Sequence, residues 1–255
     1  MSTVTTLKAN RKSDSDEWQM RVDLAAAFRL AAEMNWHEAV ANHFSLAVSP
    51  DGKKFLMNPR WRHFSRIKAS DLLLLDSDDP STMDSPDAPD PSAWCIHGNM
   101  HKSLPHARCI LHVHPPYATA LASLADPEIK PIDQNTARYF RRMAIDLNFG
   151  GIADEQEEGE RLVRALGNAH RLMMGNHGVL VVAETVAEAF DDLYYLERSC
   201  QTLILAYSTG RPLNVLSDEI AEKTAQGWEA YKPSAFAHFE QMKEILNAKD
   251  PSYAE

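Results

Sequence analysis

The sequence predicts one layered α/β or α+β domain, and three observations carry that prediction. Short apolar runs of strand length alternate with longer stretches of helical periodicity along the chain. No internal repeat is visible, and 255 residues are enough for one large domain with a sizeable core. Hydrophobic residues at 44% and charged residues at 24% place the chain among ordinary globular proteins and not among disordered ones.

The elements follow in order. Residues 1–13 are polar and are expected to be flexible and loosely attached, leaving a domain over residues 14–255. A first helix is expected from Asp14 or Ser15, where Asp14 and Glu17 have capping-box form. Met20, Leu24, Phe28 and Ala31 then carry one apolar face to about Asn35. Residues 44–48 and 54–57 read as strands joined by Ser49-Pro50-Asp51-Gly52, where Pro presets φ and Gly accepts a positive φ. Residues 72–75 form a further strand. Residues 76–91 are rich in Asp, Ser and Pro and read as a solvated loop. A short helix over 97–103 stops before Pro105, a strand follows over 109–114, and Pro115-Pro116 opens a helix through Leu124. Residues 156–166 are an amphipathic helix closed by Gly167. Strands over 171–174 and 179–182 flank Gly175-Asn176-His177-Gly178. A long helix spans 186–208, and a more polar one spans 217–246 with Pro233 as its expected break.

The formal net charge of −10 argues against nucleic acid as a partner, since no broad basic surface is available to displace counterions. A small anion needs only a local cationic pocket, and basic residues cluster at Arg60-Trp61-Arg62-His63-Phe64-Ser65-Arg66-Ile67-Lys68. No apolar run approaches the ~20 residues that span a bilayer. The first thirty residues carry Lys8, Arg11 and Lys12 without an apolar core, unlike a secretory signal. Cys95, Cys109 and Cys200 are too few for a disulfide framework and suit a reducing compartment, so the cytoplasm is the expected location.

His112 and His114 lie two apart on a strand, so their rings leave the same face of the sheet. Two imidazoles on one face can share a metal ion, and a third would leave one coordination position open. His177, in a Gly-flanked loop between two strands, is the best candidate for that third ligand. His37, His63, His106, His170 and His238 are read as surface or satisfied core residues. His97 is read as structural or as a residue behind the ligands.

The stretch Ile110-Leu111-His112-Val113-His114-Pro115-Pro116-Tyr117-Ala118-Thr119-Ala120-Leu121 resembles the metal-site motif of the class II aldolase/adducin family. Asn42-His43-Phe44-Ser45 with Phe55-Leu56-Met57-Asn58-Pro59 resembles that family's first substrate loops. Ile67-Lys68-Ala69-Ser70-Asp71-Leu72 resembles its next helix-to-strand step. Asn176-His177-Gly178-Val179-Leu180 and Thr185-Val186-Ala187-Glu188-Ala189-Phe190 resemble its third-ligand loop and following helix. The resemblance implies a single α/β/α sandwich with a mixed, largely antiparallel central sheet flanked by helices, assembled as a homotetramer. It also implies metal binding by His112, His114 and His177, with Asn42 in a substrate loop.

Two departures from the family pattern shape the functional expectation. The acid/base carboxylate of family aldolases, four residues before a histidine, falls here on Ala93, and the nearest acid is Asp90. Sugar-phosphate members carry Ser-Gly after the Asn-Pro, where this chain has Arg60-Trp61. A phosphate cradle is therefore replaced by guanidinium groups, and Arg60 or Arg62 is expected to pair with a substrate carboxylate. Pro131-Ile132-Asp133-Gln134-Asn135 and Glu155-Gln156-Glu157-Glu158 lie closer to the adducin-like branch. Trp61 and Trp94 are pocket-lining candidates, and Tyr117 is a candidate proton donor with helix packing as its alternative role.

The expected activity is that of a divalent-metal-dependent lyase cleaving a C–C bond in a small oxo or hydroxy acid. Retro-aldol cleavage and decarboxylation both proceed through an enolate that a metal stabilises. Ala93 leans toward decarboxylation, which needs no C–H proton removed to begin, the later proton coming from bound water or a neighbouring subunit's tyrosine. Zinc is the favoured ion, with manganese, iron, cobalt and nickel permitted by three imidazoles. The alternatives are a non-catalytic adducin-like binding module and, disfavoured by Arg60-Trp61 and Ala93, a sugar-phosphate epimerase.

Overall fold

The computed structural model describes residues 3–151 and 156–255. Glu155 of the acidic run and the first two residues of the polar N-terminus lie outside the described residues. Helix α1 (Thr3–Glu33) is followed by β1 (His43–Ala47), β2 (Lys54–Met57) and β3 (Leu73–Asp76). Then come α2 (Pro91–Ser103), β4 (Cys109–Val113), α3 (Pro116–Ala122) and β5 (Ala144–Asp146). The chain continues through α4 (Gln156–Leu166), β6 (Arg171–Met174), β7 (Gly178–Ala183), α5 (Val186–Ser208), α6 (Asp218–Ala230) and α7 (Pro233–Lys249).

Among the described residues the strands form one seven-stranded sheet in the order β3-β2-β1-β4-β7-β6-β5. Every pairing is antiparallel except β5 with β6, so the sheet is mixed and largely antiparallel, as the resemblance implied. Alternation along β4 and β7 divides the core into two layers. Cys109, Leu111, Val113, Val179 and Val181 pack with α1, α3 and α5 on one face. Ile110, Leu180 and Val182 pack on the other face with Ile96 and Met100 of α2 and Leu162 and Leu166 of α4. His112 belongs by the same alternation to the α2/α4 face, at the end of the central strand. Among the described residues no helix is long and apolar enough to cross a membrane.

Three elements differ from the sequence expectation, each for a local reason, while the break expected at Pro233 is found. Helix α1 is drawn from Thr3 and not from Asp14, and no Gly or Pro occurs between Thr3 and Glu33 to interrupt it. Helix α2 begins at Pro91 and not near His97, because Asp90 caps it and Pro91 occupies the first helical position. Strand β5 was not expected; it has three residues and exists through parallel pairing with β6. The expected break at Pro233 takes the form of two helices, with Pro233 opening α7.

Candidate metal centre

His112 is fixed from both sides by the sheet, opposite His43 on β1 and Leu180 on β7. Its Nδ1 lies 3.0 Å from the Val179 carbonyl oxygen, which can only accept. Nδ1 therefore carries the proton and Nε2 keeps the lone pair that a metal needs. His114 follows β4 directly and precedes the first turn of α3. Glu197 of α5 pins that turn, accepting from the backbone N–H groups of Tyr117 at 2.9 Å and Ala118 at 2.8 Å. Burial pushes the Glu197 carboxyl up to about 7, against the opposing pull of those two donors.

His177 stands in the three-residue turn between β6 and β7, where Met174 pairs with Gly178. Asn176 takes φ +56°, a left-handed conformation that Asn tolerates better than most residues. Gly178 is required by crowding: a Cβ there would lie 2.6 Å from Cδ2 of His114 and 2.7 Å from the Val113 carbonyl oxygen. The absence of a side chain at Gly178 is what lets β7 approach the second histidine.

The three rings converge. Centroids of His112 and His114 are 5.1 Å apart, those of His112 and His177 4.8 Å, and those of His114 and His177 4.7 Å. One ligand nitrogen from each lies within 4.8 Å of the others. The Nε2 atoms of His112 and His114 are 3.3 Å apart. That matches the edge of about 3.3 Å expected between nitrogens in a tetrahedral site with bonds of roughly 2.0–2.1 Å. Charge state agrees with geometry. Burial, then the neighbouring rings, hold His112 well below its ordinary value; burial and His114 bring His177 down to about 4; burial lowers His114. All three are neutral near pH 7, the form that ligates. The residues fit a divalent cation.

The triad lies on the wall of a cavity of about 460 Å³. Asn42 and Arg60, two of the substrate-binding candidates, line it. The Asn42 Oδ1 accepts from the Glu38 backbone N–H at 2.7 Å, and the buried Arg60 Nε has no partner among the described residues. Arg62, the other cationic candidate, lies outside the lining, with its guanidinium held by Asp71 Oδ1 at 2.7 Å. Tyr117 does not line it either; its half-buried ring packs against the hydrophobic core from α3. Trp61 stands at the rim, 69% exposed and at φ +64°, a backbone cost of about 1–2 kcal/mol for a residue of its kind. Trp94 packs in the core layer beside Phe55 and is not part of the lining.

Ala93 presents only a methyl group to the cavity, so no carboxylate enters from the position where family aldolases carry one. Asp90 is the single acid among the described lining residues. Its Oδ1 caps α2, accepting from the Ser92 backbone N–H at 3.0 Å and the Ser92 hydroxyl at 2.6 Å. Sequence reasoning named Asp90 only as a distant substitute; the Asp-Pro-Ser cap signal was the clue that it belongs to the wall. His43, Asn58, Phe149 and Asn176 also line the cavity and were not expected as site residues. His37, His63, His106, His170 and His238 lie outside the lining.

The three histidines and the described cavity lining fall within residues 22–204, which match the family described as Class II Aldolase and Adducin N-terminal domain. The chain belongs to this family. A crystal structure of an aldolase II superfamily protein from Pseudomonas syringae superposes with a TM-score of 0.85 at 31% identity, covering 94% of this chain and 96% of that one. Decarboxylase NovR of Streptomyces niveus is 25% identical over 238 residues, 90% of this chain and 84% of NovR. Beta-adducin of Homo sapiens is 28% identical over 193 residues, which cover 74% of this chain and 26% of the adducin. The class II aldolase fold explains the sheet order and the helical layers on its two faces.

Proposed function

We propose that this class II aldolase relative is a divalent-metal-dependent lyase that cleaves a C–C bond in a small carboxylic acid, by retro-aldol cleavage or decarboxylation. The observation that carries the reading is three neutral imidazoles converging on the wall of a cavity that also holds the unpartnered Arg60 Nε. When bound, the cation supplies an electron-withdrawing centre next to the bond to be broken. Zinc suits the three-imidazole set best, with manganese, iron, cobalt and nickel as alternatives. The methyl group at Ala93 favours decarboxylation, and a Streptomyces relative named as a decarboxylase supports that choice. A homotetramer in the cytoplasm completes the proposal, with the buried free thiols of Cys109 and Cys200 consistent with a reducing compartment.

Arg60 anchors the substrate carboxylate through its free N–H donors. A charge-assisted hydrogen bond is worth about 1.5–3 kcal/mol. Arg60→Ala is therefore expected to raise KM roughly 10- to 100-fold, while Arg62→Ala, which only breaks the pair with Asp71, changes KM less than about twofold. Steady-state kinetics on the two variants check this, and equal effects from both would contradict it.

Asp90, an acid on the cavity wall, relays to the carbanion a proton it first takes from solvent water. Asn caps a helix as well as Asp. Asp90→Asn is thus expected to leave thermal stability near that of the parent while lowering kcat by about 10²- to 10⁴-fold. A kcat within threefold of the parent would remove Asp90 from the chemistry. The activity itself is tested by screening zinc-loaded protein with small oxo and hydroxy acids for release of CO₂ or an aldehyde. The similarity to beta-adducin favours a second reading, a non-catalytic binding module, and a stable metal-free protein that cannot be reconstituted would select it.

A further inference from the structure

Behind the triad lies a second row of buried polar side chains that the proposed chemistry does not use. His43 and Ser45 on β1 face His97 and His101 on α2, and all four are buried. They form one continuous hydrogen-bonded chain. His101 Nδ1 is 2.8 Å from the Ala107 carbonyl oxygen, and His101 Nε2 is 2.7 Å from the Ser45 hydroxyl. Ser45 Oγ is 2.5 Å from His97 Nδ1, and His97 Nε2 is 2.7 Å from His43 Nδ1.

The Ala107 carbonyl fixes the direction of every bond in this chain of neutral rings. A carbonyl only accepts, so His101 carries its proton on Nδ1 and its Nε2 is an acceptor. Ser45 must then donate to His101 and accept from Nδ1–H of His97. The remaining nitrogen of His97 is an acceptor in turn and takes Nδ1–H of His43. His43 is left with an unprotonated Nε2. Among the described residues no group bonds to that nitrogen, and His43 is a wall residue of the cavity. Its ring lies 4.9 Å from that of His112, yet it is not part of the grouped ligand nitrogens, so it stands beside the metal centre and not on it.

We infer that the His101–Ser45–His97 chain is a positioning device that holds His43 Nε2 toward the cavity as a hydrogen-bond acceptor, and so selects a ligand bearing a hydroxyl donor. The inference rests on the reading of the cavity as a carboxylic-acid site and narrows it. Arg60 offers a donor for a carboxylate, His43 offers an acceptor for a hydroxyl, and together they specify a hydroxy acid over its oxo counterpart. A second acceptor placed against Nε2, such as a ketone oxygen, finds no hydrogen and leaves both groups unpaired.

The test uses zinc-loaded protein labelled with ¹⁵N-histidine and two probes that differ at one position, lactate and pyruvate. Long-range ¹H–¹⁵N spectra are expected to show His43, His97 and His101 protonated on Nδ1. Lactate is expected to bind about tenfold more tightly than pyruvate. Ser45→Ala cuts the chain, so His97 and His43 should populate both tautomers and the lactate preference should fall to within about threefold. Ser45→Thr keeps the hydroxyl and should restore the parent pattern. Protonation of His43 on Nε2 in the parent, or a Ser45→Ala variant unchanged in both readouts, would overturn the inference. So would failure of both acids to bind, or loss of zinc in Ser45→Ala, which would make the chain a prop for the ligands. Absence of carboxylic-acid turnover with the lactate preference intact would instead overturn the lyase reading and leave this one standing.

Discussion

His112→Ala is expected to reduce bound metal from about one equivalent per chain to a trace and to abolish turnover with it. Changes to groups behind metal ligands typically cost 10- to 100-fold in affinity. Removing one of three ligands should exceed that range. The effect should be large here because Leu180 and His43 flank position 112 on the neighbouring strands, and His43, whose ring is anchored to His97, is not among the grouped nitrogens. Elemental analysis of purified parent and variant makes the comparison. His177→Ala provides the same test from a turn outside the core, so a folding defect at position 112 would not obscure the result. Metal retained at parental stoichiometry in both variants would contradict the assignment of the ligands.

The buried histidines should also make the metal-free protein acid-labile well above the range where carboxylates titrate. Burial is the leading cause that brings His43 and His101 down to about 3 and His177 down to about 4. Burial also holds His97 and His112 well below their ordinary value. These are depressed values, so between pH 6.5 and the folded-state values the unfolded chain binds protons that the folded chain refuses. Stability is then fully present above about pH 6.5 and is lost as pH falls. At pH 5 each of His43, His101 and His177 costs roughly 2 kcal/mol, about 6 kcal/mol together, a large part of the stability of a typical domain. Denaturant midpoints measured at pH 7.5 and pH 5 should therefore differ sharply. His101→Gln, remote from the metal, should recover about 2 kcal/mol of the difference. Equal midpoints at the two pH values would contradict the buried, neutral state of these rings.

The three converging histidines were legible in the sequence because each depends on local geometry. A two-residue spacing on a strand puts His112 and His114 on one face, and a Gly-flanked turn leaves room for His177. The architecture was legible for a similar reason: the apolar runs of β1, β2, β4, β6 and β7 and the cap of α5 are local signals. What stayed hidden depends on long-range placement. Ser45 and His101 are 56 residues apart in sequence and meet only because α2 lies across β1. Strand β5 is invisible alone, since three residues carry no period and its order comes from β6. Arg60 and Arg62 look equivalent in a basic cluster, and the difference is set by Asp71 turning back to hold one of them. Asp90 sat within a stretch that composition marked as solvated loop, although Asp-Pro-Ser also has the form of a helix start.

Everything proposed about reactivity requires one cation held jointly by the three rings. Anomalous diffraction from crystals grown with zinc measures this directly. A single strong peak at bonding distance, roughly 2.0–2.1 Å, from one nitrogen of each of His112, His114 and His177 is the expected result. A map with no peak there, or with zinc bound elsewhere while these rings stay unligated, would contradict it.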